Sequence, residues 1–374
     1  MKKWIFVVVF ALVLTITLNR LSYAKDEDLH KINVETQRNE IDKSEDYAYS
    51  YNTLTYNEQT VYLEIKYAIT KFEEITLSSK DLSTVDKLFY CVMNDNPDIF
   101  YANGYNYHIH NTGDICISGI YTFNKEEIAK KQKQIDAYVT ECFNSIQDDF
   151  DDYEKIKYVY EDLINHTEYD SNAENHQNIC SVFIEGKSVC QGYAKATQYL
   201  LNELGIPTTL VLGLTDKTNH AWNLVKVDGD YYYVDTTWGD SSYQKLTETA
   251  GYYHGDIPMI NYDYLLVTTD QISSTHEISG KVFMPYCFST KNNYYVREGL
   301  YLIDWDSNKA ASIINQQRSD GSNYVTLKCE NYIAYSNMRN ELLDNGGIFK
   351  YVDIDRNSVS YIDNDRDYSI SFIF

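Results

Sequence analysis

Gly186-Lys187-Ser188-Val189-Cys190-Gln191-Gly192-Tyr193-Ala194 opens the stretch that decides how this chain folds. Ser188 followed three residues later by Gln191 has the form of a capping box, so the spacing predicts a helix with Ser188 as N-cap and Cys190 at the second helical position. A sulfur there lies near unpaired backbone N–H groups and the positive end of the helix dipole. Both favour the thiolate, which is the nucleophilic form. The helix is predicted to run to Leu204, with Gly205 closing it and Pro207 preventing continuation. Lys195, Gln198 and Asn202 form a narrow polar stripe on it, and Ala194, Ala196, Thr197, Leu200, Leu201 and Leu204 cover the rest. A helix so broadly apolar should be buried, with the sulfur at its exposed tip.

Downstream, Thr208 to Gly213 reads as an apolar strand and Leu214 to Asn219 as a polar loop. Then come His220-Ala-Trp-Asn-Leu-Val-Lys-Val227, Asp228-Gly229 and Asp230-Tyr-Tyr-Tyr-Val-Asp235. Asp-Gly between two β-rich runs predicts a hairpin. With a two-residue turn, Val227 pairs with Asp230 and Trp222 falls opposite Asp235. His220 shares a face with Trp222, so His220 and Asp235 become diagonal neighbours, about 7–8 Å apart between Cα atoms. A carboxylate there can fix the imidazole tautomer and stabilise the imidazolium, leaving the other ring nitrogen for a thiol. Cys190, His220 and Asp235 together are expected to form a nucleophile, a base and an orienting acid.

These residues resemble the transglutaminase-like superfamily, the papain-related group with a Cys-His-Asp triad. The matching pieces are Gly186 to Ala194, His220-Ala-Trp-Asn223 and Asp235-Thr-Thr-Trp238, over about residues 150–245. The resemblance implies an α+β fold in which the cysteine helix packs on an antiparallel sheet or barrel. It implies Cys190 as nucleophile, His220 as base and Asp235 as orienting acid. The superfamily contains cross-linkers, peptidases, amidases and inactive relatives, so the fold does not settle the reaction. The Cys190 N–H is one expected oxyanion donor, and Trp222, Trp238 or Tyr169 could line the place of a second.

Working outward, helices are expected over Gln59–Ile75, Leu82–Met93, Lys125–Ile146 and Asp152–His166, and a hairpin over Phe100–Phe123. After Gly280 come short aromatic runs, at Tyr294-Tyr295-Val296, Leu300–Ile303, Tyr324–Leu327 and Ile348–Val352, which predict a β-rich region. The expected division is a signal peptide at 1–24, a linker at 25–58, an N-terminal α/β region at 59–148, a catalytic domain at 149–280 and the β-rich region at 281–374. Lys2 and Lys3, an uncharged apolar run from Trp4 to Leu18 and Ser22-Tyr23-Ala24 have the three-part layout of a secretory signal. An exported chain, secreted or held at a bacterial cell surface, is therefore expected, with no stable membrane insertion once the signal is cleaved.

The formal charge of −23 argues against nucleic acid as a partner, because phosphate binding needs a basic surface. The seven cysteines are scattered, without a CxxC pair, so neither a disulfide framework nor a zinc site is expected. Cys180 reads as a packing residue. His254 and His276 have no companions in sequence that make a metal site. Asp304-Trp-Asp306 and Asp363-Asn-Asp365-Arg-Asp367 mimic the start of a calcium loop, yet lack its glycine and its closing glutamate. No metal and no cofactor are expected. The expected chemistry is acyl transfer on peptide or protein amides through a thioester, with hydrolysis favoured over cross-linking and a cell-wall peptide among the substrates considered. A non-catalytic envelope protein keeping the fold is the remaining alternative.

Overall fold

The computed structural model describes residues 31–32, 34, 48–240, 260–351 and 359–374. The expected signal peptide, most of the linker and His254 lie outside the described residues. The chain forms two compact units. The first takes the chain to Lys226 together with Thr275–Pro285, and the second takes Val227–Ser274 with Tyr286–Phe374.

In the first unit, α1 (Tyr56–Lys71) starts at a capping box between Thr55 and Glu58 and stops at Phe72, whose φ of 61° breaks the helix. Strand β1 (Ile75–Thr76), helix α2 (Leu82–Asp95) and the hairpin β2 (Ala102–Ile109) and β3 (Ile115–Tyr121) follow. The three strands form an antiparallel sheet in the order β1-β3-β2. Val61, Ile65, Ile69, Val85, Leu88, Phe89, Ile115 and Ile117 are among the residues that form its core. Helices α3 (Lys125–Asn144) and α4 (Asp152–His166) each begin at a capping box, Asn124 with Glu127 and Asp151 with Glu154. These elements follow the sequence expectation to within a few residues.

The expected boundary at 148/149 is not where the chain divides. Strand β4 (Glu168–Tyr169), helix α5 (Ile179–Phe183), strand β5 (Lys187–Ser188), helix α6 (Cys190–Glu203), and strands β6 (Thr208–Thr215) and β7 (Thr218–Val227) continue the same unit as far as Lys226. Two buried amides bind the halves. Asn94 Nδ2 donates to Leu210 O at 3.3 Å, and Gln198 Nε2 donates to Asn94 O at 2.8 Å. The polar stripe expected on the cysteine helix is thus partly interior, since Lys195 and Gln198 are both buried. The expected Leu214–Asn219 loop is also corrected. Strands β6 and β7 run on to Thr215 and from Thr218, joined by Asp216-Lys217 with φ of 47° and 66°. Gly213 faces His220 across this pair, and a Cβ on it would fall 2.4 Å from Trp222 Cη2, so only glycine fits beneath that ring.

The second unit contains strand β8 (Asp230–Val234), helix α7 (Thr236–Gly239) and strand β9 (Leu265–Val267), with β8 and β9 antiparallel. Strand β10 (His276–Ile278) returns to the first unit, where it pairs antiparallel with β6. The second unit resumes with β11 (Tyr301–Leu302), α8 (Ser307–Ser319), β12 (Tyr324–Cys329), α9 (Tyr332–Arg339), β13 (Ser360–Asn364) and β14 (Ser369–Ile373). Its sheet order is β11-β12-β14-β13.

This region is mixed rather than β-rich. Tyr294–Arg297 and Ile348–Tyr351 are helical turns, not strands. Asp306 and Asn331 start α8 and α9 by accepting backbone N–H groups. Tyr294–Arg297 has its own cap, Asn293, whose side chain accepts from Tyr295 N, while Leu300–Ile303 and Tyr324–Leu327 do hold strands β11 and β12. The cap role gives Asp306 a use that needs no calcium. Asp363 likewise accepts from Arg339 Nε at 2.7 Å.

Candidate active site

Helix α6 begins at Cys190 itself, so the cysteine is its first residue, one position earlier than the capping-box spacing predicts. Val189 is the N-cap, in an extended conformation and without a capping side chain. Ser188 is occupied elsewhere. Its hydroxyl lies 2.7 Å from Ser181 Oγ and donates to His176 O at 3.1 Å. Its backbone pairs in parallel with Tyr169 through β4 and β5, which holds Tyr169 half-buried beside the helix start. Gly192 completes the arrangement. A Cβ there would lie 1.9 Å from Ser188 Oγ and 2.8 Å from His176 O, so the glycine lets the loop before α5 cross the first turn of α6.

Cys190 is the one cysteine of the seven that is not buried. Burial pushes the thiols of Cys91, Cys180 and Cys329 up to about 12 and that of Cys287 to about 11. Those sulfurs stay protonated and shielded. Cys190 sits at a helix N-terminus, where the first N–H groups have no partner in the helical ladder. It packs against a small apolar cluster of Ala194, Leu210, Leu212 and Ala221, with Tyr90. Ala221 is the neighbour of His220, so the cluster joins the cysteine helix to the histidine strand. Asn223 fastens the same two elements by donating Nδ2 to Ala194 O at 2.9 Å.

His220 is buried on β7, and its ring stacks on Trp222 at 5.9 Å between centroids. Trp222 is fully buried and serves as a core anchor. Sequence reasoning missed His276. Strand β10 brings its ring to 5.3 Å from that of His220 and 4.9 Å from Trp222. The signal was out of reach, because 56 residues separate the two histidines and only the β6–β10 pairing aligns them.

Asp235 lies in the second unit, fully buried at the end of β8. It is the N-cap of α7, with Oδ1 accepting from Trp238 N at 3.0 Å, and its own N–H donates to Tyr264 O at 2.9 Å. Trp238 is half-buried against the Tyr264 ring. The turn before β8 is the two-residue Asp228-Gly229, with φ of 53° and 87°. That is the turn length the register expectation requires.

A second group of ligand-type atoms lies on the β2–β3 hairpin. His110 Nε2 is 3.2 Å from His108 Nε2 and 3.1 Å from Cys116 Sγ. Cross-strand register, with His108 opposite Cys116, assembles this group where sequence spacing gave no hint of metal-ligand geometry.

Residues 137–236 match the model of the Transglutaminase-like superfamily. With helices and sheets both present and the cysteine at the head of a buried helix, this protein has an α+β, transglutaminase-like fold. The chain is similar to the kyphoscoliosis peptidases of Mus musculus and Homo sapiens, at 20% and 21% identity over 163 residues. The similarity covers 39% of this chain and 25% of those relatives. Among solved structures it is similar to one described as a TGase, at 17% identity and a TM-score of 0.28, covering 42% of this chain and 47% of that one.

Proposed function

We propose that this protein is a cysteine-dependent acyl-transfer enzyme acting on peptide or protein amide bonds, and in the first place a peptidase or amidase. The observation that carries the reading is Cys190: the least enclosed cysteine of the chain, at the first position of a buried helix. The superfamily match and the similarity to named peptidases support it.

In this reading the Cys190 sulfur adds to the amide carbonyl carbon, and the Cys190 N–H helps hold the oxyanion. His220 protonates the departing nitrogen as the C–N bond breaks, leaving a thioester. Water then adds to the thioester and gives a proton to His220, and the sulfur leaves with the free acid released. Asp235 is assigned the orienting role toward His220. The enzyme works outside the cell on peptides or extracellular proteins, following the exported N-terminus read from the sequence.

The test is labelling of the purified chain with a thiol-directed electrophile at neutral pH, compared with Cys190→Ala. Rapid labelling that disappears in the variant is expected. Equal labelling of both proteins defeats the nucleophile assignment. Supplying a glutamine peptide with and without a primary amine separates the chemistries. Amine incorporation would replace hydrolysis by cross-linking as the reaction.

A further inference from the structure

A cavity of about 330 Å³ lies in the first unit, beside the start of the cysteine helix. Gln191 and Lys195, one turn apart on α6, form one wall. Tyr90, Leu210 and Leu212 form another, and all three also belong to the apolar cluster against which Cys190 packs. Asn103, Gln177 and Asn178 add polar edges. One wall of the cavity therefore begins at the residue that follows Cys190.

Lys195 is the anomaly in it. The side chain is buried, with a residue exposure of 9%. Burial accounts for its perturbed ionisation, with no carboxylate or hydrogen-bond acceptor among the described residues acting on it. Lys195 has no partner among the described residues. Its ammonium carries three N–H donors, none of them met by a protein acceptor among the described residues, and withdrawing such a group from bulk water is costly. The protein has carboxylates to spare, with 55 Asp and Glu against 32 Lys and Arg, yet among the described residues none lines this cavity. A lysine aimed into an open cavity without a counter-ion is arranged to meet one that arrives from outside.

We infer that this cavity is a substrate subsite in which Lys195 binds a carboxylate of the peptide. This rests on the proposed function for its connection to catalysis. The tyrosine and leucine walls receive the apolar stem, and the amides of Asn178 and Gln191 are placed to share the carboxylate oxygens. Two sources offer that group: an acidic side chain near the reacting amide, or the free end of a short peptide.

The test is direct binding to the full chain carrying Cys190→Ala, so that no turnover is needed. The probes are capped tetrapeptides with one glutamate scanned through each position, the same set with glutamine, and an uncapped alanine tetrapeptide with a free carboxyl end. One glutamate peptide, or the uncapped peptide, should bind at least about tenfold tighter than its neutral match. That preference should vanish with Lys195→Met and persist with Lys195→Arg. The Lys195 amine signal, followed by nitrogen NMR in the folded chain, should move only with the carboxylate peptides. Equal binding of glutamate and glutamine sets, an unmoved amine signal, or a preference that survives Lys195→Met overturns the subsite. The two readings fail separately. Carboxylate preference in a chain whose Cys190 never labels defeats the enzyme alone, and turnover without that preference defeats the subsite alone.

Discussion

Among the described residues two lysines are buried, one in each unit, and they are buried in opposite ways. Lys328 on β12 places Nζ 2.6 Å from Asp263 Oδ1. The other oxygen of that carboxylate accepts from Asn364 Nδ2 and Ser369 Oγ, each at 3.3 Å. The charge, its counter-ion and the counter-ion's remaining acceptor are all supplied by the second unit itself. Lys195 has none of these among the described residues. Both side chains were removed from water, but only one was given what a buried charge needs. A completed pair is scaffold, whereas an uncompleted one beside a cavity and a helix-tip cysteine is a place for a ligand.

The largest expected effect comes from breaking the completed pair. Lys328→Met leaves Asp263 buried without its cation, close to Asp367, whose carboxyl is already raised by burial and by the Asp263 charge. Losing one partner of such a pair costs about 3–5 kcal/mol, while replacing both by apolar residues can recover most of it. Urea unfolding of Lys328→Met and of Lys328→Met with Asp263→Leu measures both. A single variant within 1 kcal/mol of the parent would show that the pair is not structural and would dissolve the comparison.

The uncompleted lysine predicts the reverse sign. Burial holds Lys195 down to about 8, against 10.5 for a free side chain. Between those values the unfolded chain binds more protons than the folded one, so this group's contribution to stability rises with pH. Its penalty is fully present below pH 8 and is gone above 10.5. The whole span is worth about 3 kcal/mol. Other groups titrate in the same range, so the readout is the difference between the pH–stability profiles of the parent and Lys195→Met. Parallel profiles would mean that Lys195 already has a partner. A bound carboxylate peptide should flatten the parent's profile toward that of the variant.

How much of this was legible in the sequence depends on the range of the interactions involved. Helices α2, α3 and α4 and the Asp228-Gly229 turn were readable because their signals are local: caps, periodicity and a dipeptide that tolerates positive φ. Ser188 misled because the capping-box pattern is also satisfied by a serine whose hydroxyl prefers Ser181 and the His176 carbonyl. Leu300–Ile303 and Tyr324–Leu327 do contain strands β11 and β12, whereas Tyr294–Val296 misled because the Asn293 cap outweighs the β preference of tyrosine over so short a span. Lys195 could be read as one of a polar stripe but not as buried, because what covers it comes from α2 and β2, about a hundred residues earlier. His276 and the His108–His110–Cys116 group depend likewise on strand register, which no local pattern encodes.

A third lysine closes the series, since it is paired but not buried. Lys87 Nζ is 2.6 Å from Glu58 Oε1, with the two side chains 42% and 24% exposed. The Lys87 contact, helped by Thr55, lowers the Glu58 carboxyl to about 2. For a carboxyl lowered in this way, the stabilisation is present above its ordinary value of 4.5 and is lost as pH falls toward 2. Solvent screening reduces what the pair is worth, so Lys87→Met should cost less than about 1 kcal/mol at neutral pH. That small cost should shrink further in high salt or at pH near 2, as followed by urea unfolding. The distance is the same as in the Lys328 pair and each carboxylate has further donors, so burial is the main difference between them. If Lys87→Met were as damaging as Lys328→Met, proximity rather than burial would set the value of these pairs. The unpaired state of Lys195 would then lose the weight placed on it.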